Sequence, residues 1–140
     1  MIAIECLLCK RGDKFSDLFP KRLTSLFGWL DEDNRDTWSK IAERLYSLRC
    51  SLVHDGLSGD ITVADLLNSD AVLGNLQDNI WMNLTRFPTK DSLLRYLDEV
   101  QARHLLGMRV WRKKDNLVFH HRPITDRQII LLEEYFEVGA

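Results

Sequence analysis

The sequence predicts a mainly α-helical fold, and three observations support that prediction. Apolar residues recur at intervals of three and four along most of the chain, which is the period of a helix. Residues that cap helix N-termini precede several of these runs. The chain has 140 residues, of which 45% are hydrophobic and 29% charged, which suits one domain with one core. We therefore expect residues 1–140 to form a single helical bundle, with a small β-hairpin at about 108–121 and a C-terminal helix after it.

The composition argues against several classes of protein. No apolar run reaches the roughly 20 residues that cross a bilayer, so we expect no membrane span. The apolar start contains Glu5 and has no basic lead-in, which argues against a signal peptide. The three cysteines (Cys6, Cys9 and Cys50) are too few and odd in number for a disulfide framework, and they indicate a reducing, cytoplasmic location.

Cys6 and Cys9 form a C-x-x-C pair, which is half of a common zinc site. Since no second ligand pair lies at a suitable spacing, we interpret both cysteines as small apolar packing residues and expect no metal and no cofactor. The net charge is −2, so no global field attracts nucleic acid. Contact with a polyanion would instead favour the basic stretch at 106–124.

Two short helices are predicted first. We expect the helix Ile2–Leu8 to be buried on nearly all sides and to be broken at Gly12-Asp13. Because no N-cap precedes it, either the protein starts abruptly or this chain is the later part of a longer protein. Ser16-Asp17 begins the second helix, which runs to about Trp29 and accommodates Pro20 only in its first turn. Its apolar side consists of Leu18, Leu23, Leu26 and Phe27.

The third predicted helix is the longest, and it follows an acidic loop at Asp31–Asp36 that supplies N-caps. Its apolar residues recur at spacings of three and four. They are Trp38, Ile41, Leu45, Leu48 and Leu52. Gly56 is a natural C′ residue after this helix, and a loop continues to Gly59.

Residues 62–105 predict three further helices. Thr62–Asp65 resembles a capping box at the start of a short helix. Ser69-Asp70 can cap a second helix, which ends at Phe87-Pro88. The apolar residues of that helix are Val72, Leu73, Leu76, Ile80 and Leu84. A third helix runs from Lys90 to about Leu105. Its apolar stripe is Leu93, Leu94, Leu97 and Val100.

A different pattern follows at residues 108–121. Two runs rich in β-forming residues flank Asp115-Asn116, which is a hairpin signal, and Pro123 stops the second run. Thr125 then caps the last predicted helix. Cations accompany an aromatic ring in the first run, at Arg109, Trp111, Arg112, Lys113 and Lys114. This mixture is typical of single-stranded RNA binding. The residues nevertheless favour an edge hairpin protected by charge, with Trp111 packed on the core.

Arg49 and His54 are the residues that point to chemistry. Arginine can hold a phosphate in a charged fork, and histidine can transfer a proton near neutral pH. Together they suit metal-free cleavage of a phosphodiester, in which a ribose 2′-OH attacks the adjacent phosphate. Arg49 would bind the non-bridging oxygens, and His54 would act as general base or general acid.

The spacing of this pair limits the hypothesis. In a regular helix five residues turn about 500°, so Arg49 and His54 point about 140° apart. A two-fold dimer would bring two such pairs to one groove. From the residues alone we favour a structural alternative, in which Arg49 makes a helix-end salt bridge and His54 lies where the helix dipole favours a cation.

The segment Leu45–Gly56 resembles the signature helix of HEPN domains, and most closely that of the Apea-like group. That group typically shows Tyr-x-Leu-Arg-Ser-x-hydrophobic-Val-His-Gly in this place. Residues 3–8 (Ala-Ile-Glu-Cys-Leu-Leu) are similar to the Ala-Leu-Glu-x-Leu-Leu of its first helix. The likeness covers about Met1–Gly56, and it implies an all-helical core that is usually dimeric.

The resemblance also implies a function. HEPN domains occur in ribonucleases of toxin–antitoxin, anti-phage and CRISPR systems, and their catalytic pair matches Arg49 and His54. Glu5 matches an acidic position that orients the arginine, whereas its alternative role is a plain helix salt bridge or a solvated side chain. Further candidates for a supporting role are Tyr46, Cys50 and Asp55.

Three functions are therefore open. The first is a metal-independent endoribonuclease that acts as a homodimer on single-stranded RNA, with an antitoxin or a sensor domain as a further partner. The second is a non-catalytic HEPN module that binds RNA, a nucleotide or a partner protein. Cys50 supports it, because many active members carry a polar residue there. The third is a structural helical domain within a longer protein. Gly56 stands where members regulated by nucleotidylation carry a tyrosine, so we do not assign that regulation.

Overall fold

The computed structural model describes residues 2–27, 35–56 and 61–108, and these residues form five α-helices. The helices are α1 (Ile2–Leu8), α2 (Phe15–Phe27), α3 (Arg35–Cys50), α4 (Val63–Met82) and α5 (Lys90–Leu105). A π-helical turn at Ser51–Asp55 continues α3. The predicted mainly helical bundle is confirmed over these ranges. Residues 109–121 of the predicted hairpin and the helix predicted after Thr125 lie outside the described residues.

Helix α2 lies at the centre of the bundle and packs most extensively against α3 and then α5. Four of its apolar side chains, Phe19, Leu23, Leu26 and Phe27, are at most 1% exposed. Phe27 stacks on Trp38 of α3 with the ring centroids 4.2 Å apart. Each such buried side chain contributes about 1.5–3 kcal/mol to folding, so α2 organises the core. The same core includes Leu45 and Leu48 of α3 and the predicted stripe of α5, Leu93, Leu94, Leu97 and Val100.

Helix α1 is buried on one side only, so the expectation of burial on nearly all sides is wrong. Ile4, Glu5 and Leu8 are buried, whereas Ile2 is 69% exposed. The reason is that α1 lies at the edge of the bundle, against α2 and α4. The two cysteines at this end of the chain also differ in burial. Cys9 is buried, as a packing residue should be, and Cys6 is exposed.

Pro20 is the sixth residue of α2 and not a first-turn residue, which corrects the prediction. Because proline has no N–H, the carbonyl of Ser16 loses the hydrogen bond that residue 20 would otherwise donate. Around it the helix is reinforced by side chains. The Thr24 hydroxyl donates to the Pro20 carbonyl over 2.8 Å, and Ser25 makes the same bond to the carbonyl of Lys21.

Helix α4 is one continuous helix, so Ser69-Asp70 does not begin a new one. Thr62 forms the predicted capping box, since its hydroxyl accepts from the Asp65 N–H and its N–H donates to the Asp65 carboxylate. Asp70 is accommodated within the helix because it lies on the exposed side of α4. The helix ends at Met82, and Leu84, which was expected on its apolar stripe, is 43% exposed in the turn beyond.

A second capping box, which the sequence did not indicate to us, begins α5. The Thr89 hydroxyl accepts from the Ser92 N–H over 3.2 Å, and the Ser92 hydroxyl accepts from the Thr89 N–H at the same distance. The usual partner at this position is Glu or Gln, which is why the signal was missed. It accounts for the confirmed start of the helix at Lys90.

Arg22 joins three parts of the bundle from a buried position. Its guanidinium donates to the Leu8 carbonyl over 2.9 Å, to Asp13 over 2.6 Å and to both carboxylate oxygens of Asp98. Burial alone would lower the pKa of Arg22, but the hydrogen bonds to Asp98 and Asp13 outweigh it and raise the pKa. Arg22 therefore stays charged and fixes the C-terminus of α1 to α2 and α5.

Asp65 links α4 to α3 and also caps the N-terminus of α4. Arg44 donates from Nε and Nη2 to the two oxygens of this carboxylate, over 3.1 and 2.9 Å. The hydrogen bond from Arg44 outweighs the cost of burial and, with those from Thr62, lowers the pKa of Asp65 to about 2. Since an unfolded aspartate titrates near pH 3.9, folding favours the ionised form.

Replacing Asp65 with asparagine should remove a pH-dependent part of the free energy of unfolding. The lowered pKa means that the unfolded chain binds the proton more readily, so the contribution of Asp65 is fully present above about pH 5 and lost toward pH 2. Over that window the wild type should lose about 1–2 kcal/mol more than Asp65→Asn, after allowance for the solvent around Arg44. Urea unfolding at a series of pH values measures the difference.

Asp70→Asn is the matched control, because Asp70 is an exposed aspartate on the same helix. Its stability should follow the wild-type pH profile. If Asp65→Asn and the wild type lost stability in parallel, Asp65 would not have the role assigned to it.

Candidate active site

Glu5 of α1 and Arg49 of α3 meet at the edge of the core. The Glu5 Oε1 and Arg49 Nε atoms are 2.6 Å apart, and the two side chains are 7% and 21% exposed. Arg49 lies four residues after the buried Leu45, so it points to the inner side of α3. Glu5 follows Ile4 on the buried side of α1. The helix faces that make the core therefore also make this ion pair.

The Glu5–Arg49 contact is an ion pair without the geometry of a hydrogen bond. Among the described residues, neither Glu5 Oε1 nor Arg49 Nε has a hydrogen-bond partner. The attraction depends on charge, and low solvent exposure strengthens it relative to a surface pair. Removing either charge would leave the other close to the core without compensation.

Tyr46 and Cys50 complete what we call the Arg49 cluster, which consists of Glu5, Tyr46, Arg49 and Cys50. The Tyr46 hydroxyl donates a hydrogen bond to the Cys50 sulfur. Burial, this bond and the charges of Cys50 and Glu5 raise the pKa of Tyr46 against the opposing effect of Arg49. The phenol thus stays protonated and continues to act as a donor beside the guanidinium.

Phe19 supports the cluster from α2 and is not among the predicted site residues. Its ring centroid lies 5.8 Å from that of Tyr46, and its side chain is fully buried. The signal was present in the helical spacing, because Phe19 precedes Leu23 by four residues.

The backbone widens directly after this cluster. Regular α-helix ends at Cys50, and Ser51–Asp55 form a π-helical turn. Gly56 closes it with φ of 64°, the left-handed conformation expected of a C′ glycine, and its N–H donates to the Ser51 carbonyl five residues back. The predicted apolar stripe of α3 does not stay buried in this turn. Leu52 and Val53 are 40% and 56% exposed, because the wider turn no longer follows the α-helical period.

The π-helical turn corrects the geometry expected for His54. Bonds from residue i to i+5 place more residues in each turn, so each residue advances by a smaller angle than in an α-helix. The directions of Arg49 and His54 are therefore closer than the ~140° of a regular helix. The side chains of His54 and Asp55 are both exposed, and within the described ranges they make no hydrogen bond or ion pair.

The structure thus brings together four of the predicted site residues, which form the Arg49 cluster. Two other predicted residues, His54 and Asp55, are exposed to solvent. The predicted RNA-binding residues of the basic stretch lie outside the described residues: Arg109, Trp111, Arg112, Lys113 and Lys114.

Within residues 2–27, 35–56 and 61–108, no group of three or more histidine, cysteine and acidic side chains is arranged so as to hold a metal ion. None of the helices in these ranges has both the length and the apolar composition that crossing a bilayer requires.

No protein-family model, curated protein or solved structure matches this chain. A function therefore has to be inferred from the residues of the site.

Glu5 and Arg49 should be energetically coupled. Arg49→Met leaves a buried carboxylate without its cation, and Glu5→Gln leaves the guanidinium without its anion, so each should lower the free energy of unfolding by about 2–3 kcal/mol. The double variant should recover part of that loss, with a coupling energy of about 1–3 kcal/mol. Denaturant unfolding of the four proteins measures it.

The exposed pair Asp17–Lys21 provides the comparison. Its atoms are also 2.6 Å apart, but its side chains are 46% and 48% exposed. The same cycle there should give a much smaller coupling energy, because solvent screens the exposed pair. Equal coupling in the two pairs would mean that burial does not strengthen the Glu5–Arg49 contact.

Proposed function

We propose that this protein is a metal-independent endoribonuclease of the HEPN type that cleaves single-stranded RNA as a homodimer. The observation that carries the proposal is the buried contact of Glu5 with the Nε atom of Arg49, at the end of the helix that leads to His54. It fixes a guanidinium five residues before an accessible imidazole. The resemblance of Leu45–Gly56 extends the proposal to a toxin–antitoxin or anti-phage setting, with an antitoxin or sensor domain as partner.

Arg49 has the features of a phosphate-binding residue. Its Nε side faces Glu5, and among the described residues no group engages its two terminal nitrogens. These nitrogens form the fork that binds two phosphate oxygens. The side chain remains 21% exposed, which leaves an approach for a ligand. A guanidinium held near the core needs little reorganisation when charge develops on the phosphate.

His54 would transfer the proton in the reaction. An imidazole takes the proton of the ribose 2′-OH, the 2′-oxygen forms a bond to phosphorus, and the bond from phosphorus to the 5′-oxygen breaks. The leaving 5′-oxygen takes a proton from an imidazolium, and the product carries a 2′,3′-cyclic phosphate. In a dimer, the His54 side chains of the two subunits can divide these two roles.

Leu52 and Val53 favour a dimer formed at this end of α3. They expose apolar side chains immediately before His54, where a monomer has no structural need for them. Pairing two copies about a two-fold axis would cover both residues and bring two Arg49/His54 pairs to one groove.

A non-catalytic binding module is the second candidate. His54 lies outside the Arg49 cluster, and Cys50 interacts with Tyr46. This arrangement would still bind a phosphate through Arg49. It predicts phosphate-ligand binding that survives His54→Ala and is lost in Arg49→Ala, without cleavage.

Cleavage of single-stranded RNA in EDTA tests the proposal. The wild type should leave 2′,3′-cyclic phosphate ends, and His54→Ala should abolish them because the proton carrier is removed. Arg49→Lys keeps the charge but not the fork, so the rate should fall by at least about 100-fold. Gel analysis of end-labelled RNA, with chemical assignment of the termini, provides the measurement.

His104→Ala is the matched control, because His104 is an exposed histidine at the end of α5. Its rate should equal that of the wild type. Wild-type cleavage that persists unchanged in His54→Ala would exclude the mechanism, whereas Arg49-dependent binding without cleavage would favour the second candidate.

Disrupting the apolar pair before His54 should separate assembly from folding. Leu52→Asp/Val53→Asp should shift the protein from dimer to monomer in sedimentation and reduce cleavage by at least about 10-fold, since the two active-site pairs no longer meet. Leu66→Asp is the control, because Leu66 is 53% exposed on α4. A monomeric wild type with full activity would contradict the shared groove.

A further inference from the structure

A cleft between α1 and α4 has no part in the site described above. Its volume is about 400 Å³, and its lining includes Leu7, Gln77, Asp78, Ile80 and Trp81. Trp81 is 75% exposed, which is unusual for so large an apolar side chain. Leu7 and Ile80 pack partly against the core, so they form a fixed apolar floor.

The lining fits a flat, neutral, aromatic group that carries polar edges. An exposed indole provides a stacking surface. The exposed amide of Gln77 both donates and accepts hydrogen bonds, and it can therefore serve more than one kind of base. The carboxylate of Asp78 in the same lining disfavours a phosphate, so the cleft suits a base better than the phosphate backbone.

A stacking contact would add affinity for RNA where the overall charge of the protein adds little. With a net charge of −2, the chain lacks the general electrostatic attraction that dominates most nucleic-acid complexes. Proteins that bind single strands gain affinity instead from bases stacked on aromatic rings.

The cleft and the Arg49 cluster lie on opposite sides of the same short helix. Leu7, which lines the cleft, follows Glu5 by two residues and points about 160° away from it. The two sites are therefore at nearly the same height along α1, and the path between them around the exposed face of the helix covers half its circumference, roughly 16 Å. About five stacked nucleotides, at about 3.4 Å each, span that path.

We propose that this cleft binds one unpaired base of an RNA strand, stacked on Trp81, while a phosphate farther along the same strand contacts Arg49. The proposal rests on the proposed function, because it names a second contact for the same substrate. It assigns Trp81 to affinity for RNA and not to the chemical step.

Binding of fluorescein-labelled hexaadenylate to the His54→Ala protein tests the proposal without cleavage. Trp81→Ala in that background should weaken binding about 10-fold or more, because base–aromatic stacking is lost, and Trp81→Phe should retain most of the affinity. An abasic ribose-phosphate chain of the same length should bind less tightly than hexaadenylate, and Trp81→Ala should abolish this preference. Fluorescence anisotropy measures all five affinities.

Leu66→Ala is the control, since it removes another exposed apolar side chain from α4. It should not change the affinity, and thermal unfolding should show that every variant is folded. Trp81-dependent binding would support the base contact even if the wild type cleaved no RNA. Unchanged hexaadenylate binding in Trp81→Ala would overturn it while leaving the ribonuclease proposal intact. Failure of the His54→Ala protein to bind hexaadenylate, or conversion of a dimer to a monomer by Trp81→Ala with no effect on RNA, would also overturn it.

Discussion

The Glu5–Arg49 ion pair is the contact on which the candidate site depends. It joins the first helix to the end of the third at the boundary between core and solvent. An arginine four residues after a buried leucine cannot leave the inner face of α3, so its charge has to be compensated there. Glu5 supplies that compensation from α1. The pair therefore holds the guanidinium in place as well as neutralising it.

The position of Glu5 in turn depends on residues far along the chain. Helix α1 has seven residues, which is too short to be stable by itself. Cations from other helices hold its C-terminal end. Arg22 donates to the Leu8 carbonyl, and Lys90 donates to the carbonyls of Cys6 and Cys9. Because Arg22 also binds Asp98, the bundle formed by α2 and α5 fixes α1, and α1 then fixes Arg49.

Periodicity and capping predicted the helices because both are local. The stripe Leu93–Val100 and the box at Thr62 needed only residues within one or two turns. The prediction was wrong where a local signal had two meanings. Ser69-Asp70 has the composition of a cap, but in α4 it lies in mid-helix, because the Thr62 box had already begun a helix with enough buried side chains to continue through it. The extent to which α1 is buried depends on the helices that pack against it, so the pattern of its own seven residues cannot predict it.

The residues of the candidate site were predicted from the sequence, but their geometry was not. Spacing identified Arg49 and His54, and resemblance added Glu5, but the angle between the first two followed from assuming a regular helix. The π-helical turn alters that angle through the backbone, before any side chain moves. It also explains why Leu52 and Val53 leave the core at the same point as His54. One change in hydrogen-bond register coincides with the exposure of the imidazole and of the two apolar residues before it, and it narrows the angle between His54 and Arg49. The accessible histidine and the surface that could pair with a second copy thus lie on the same π-helical turn.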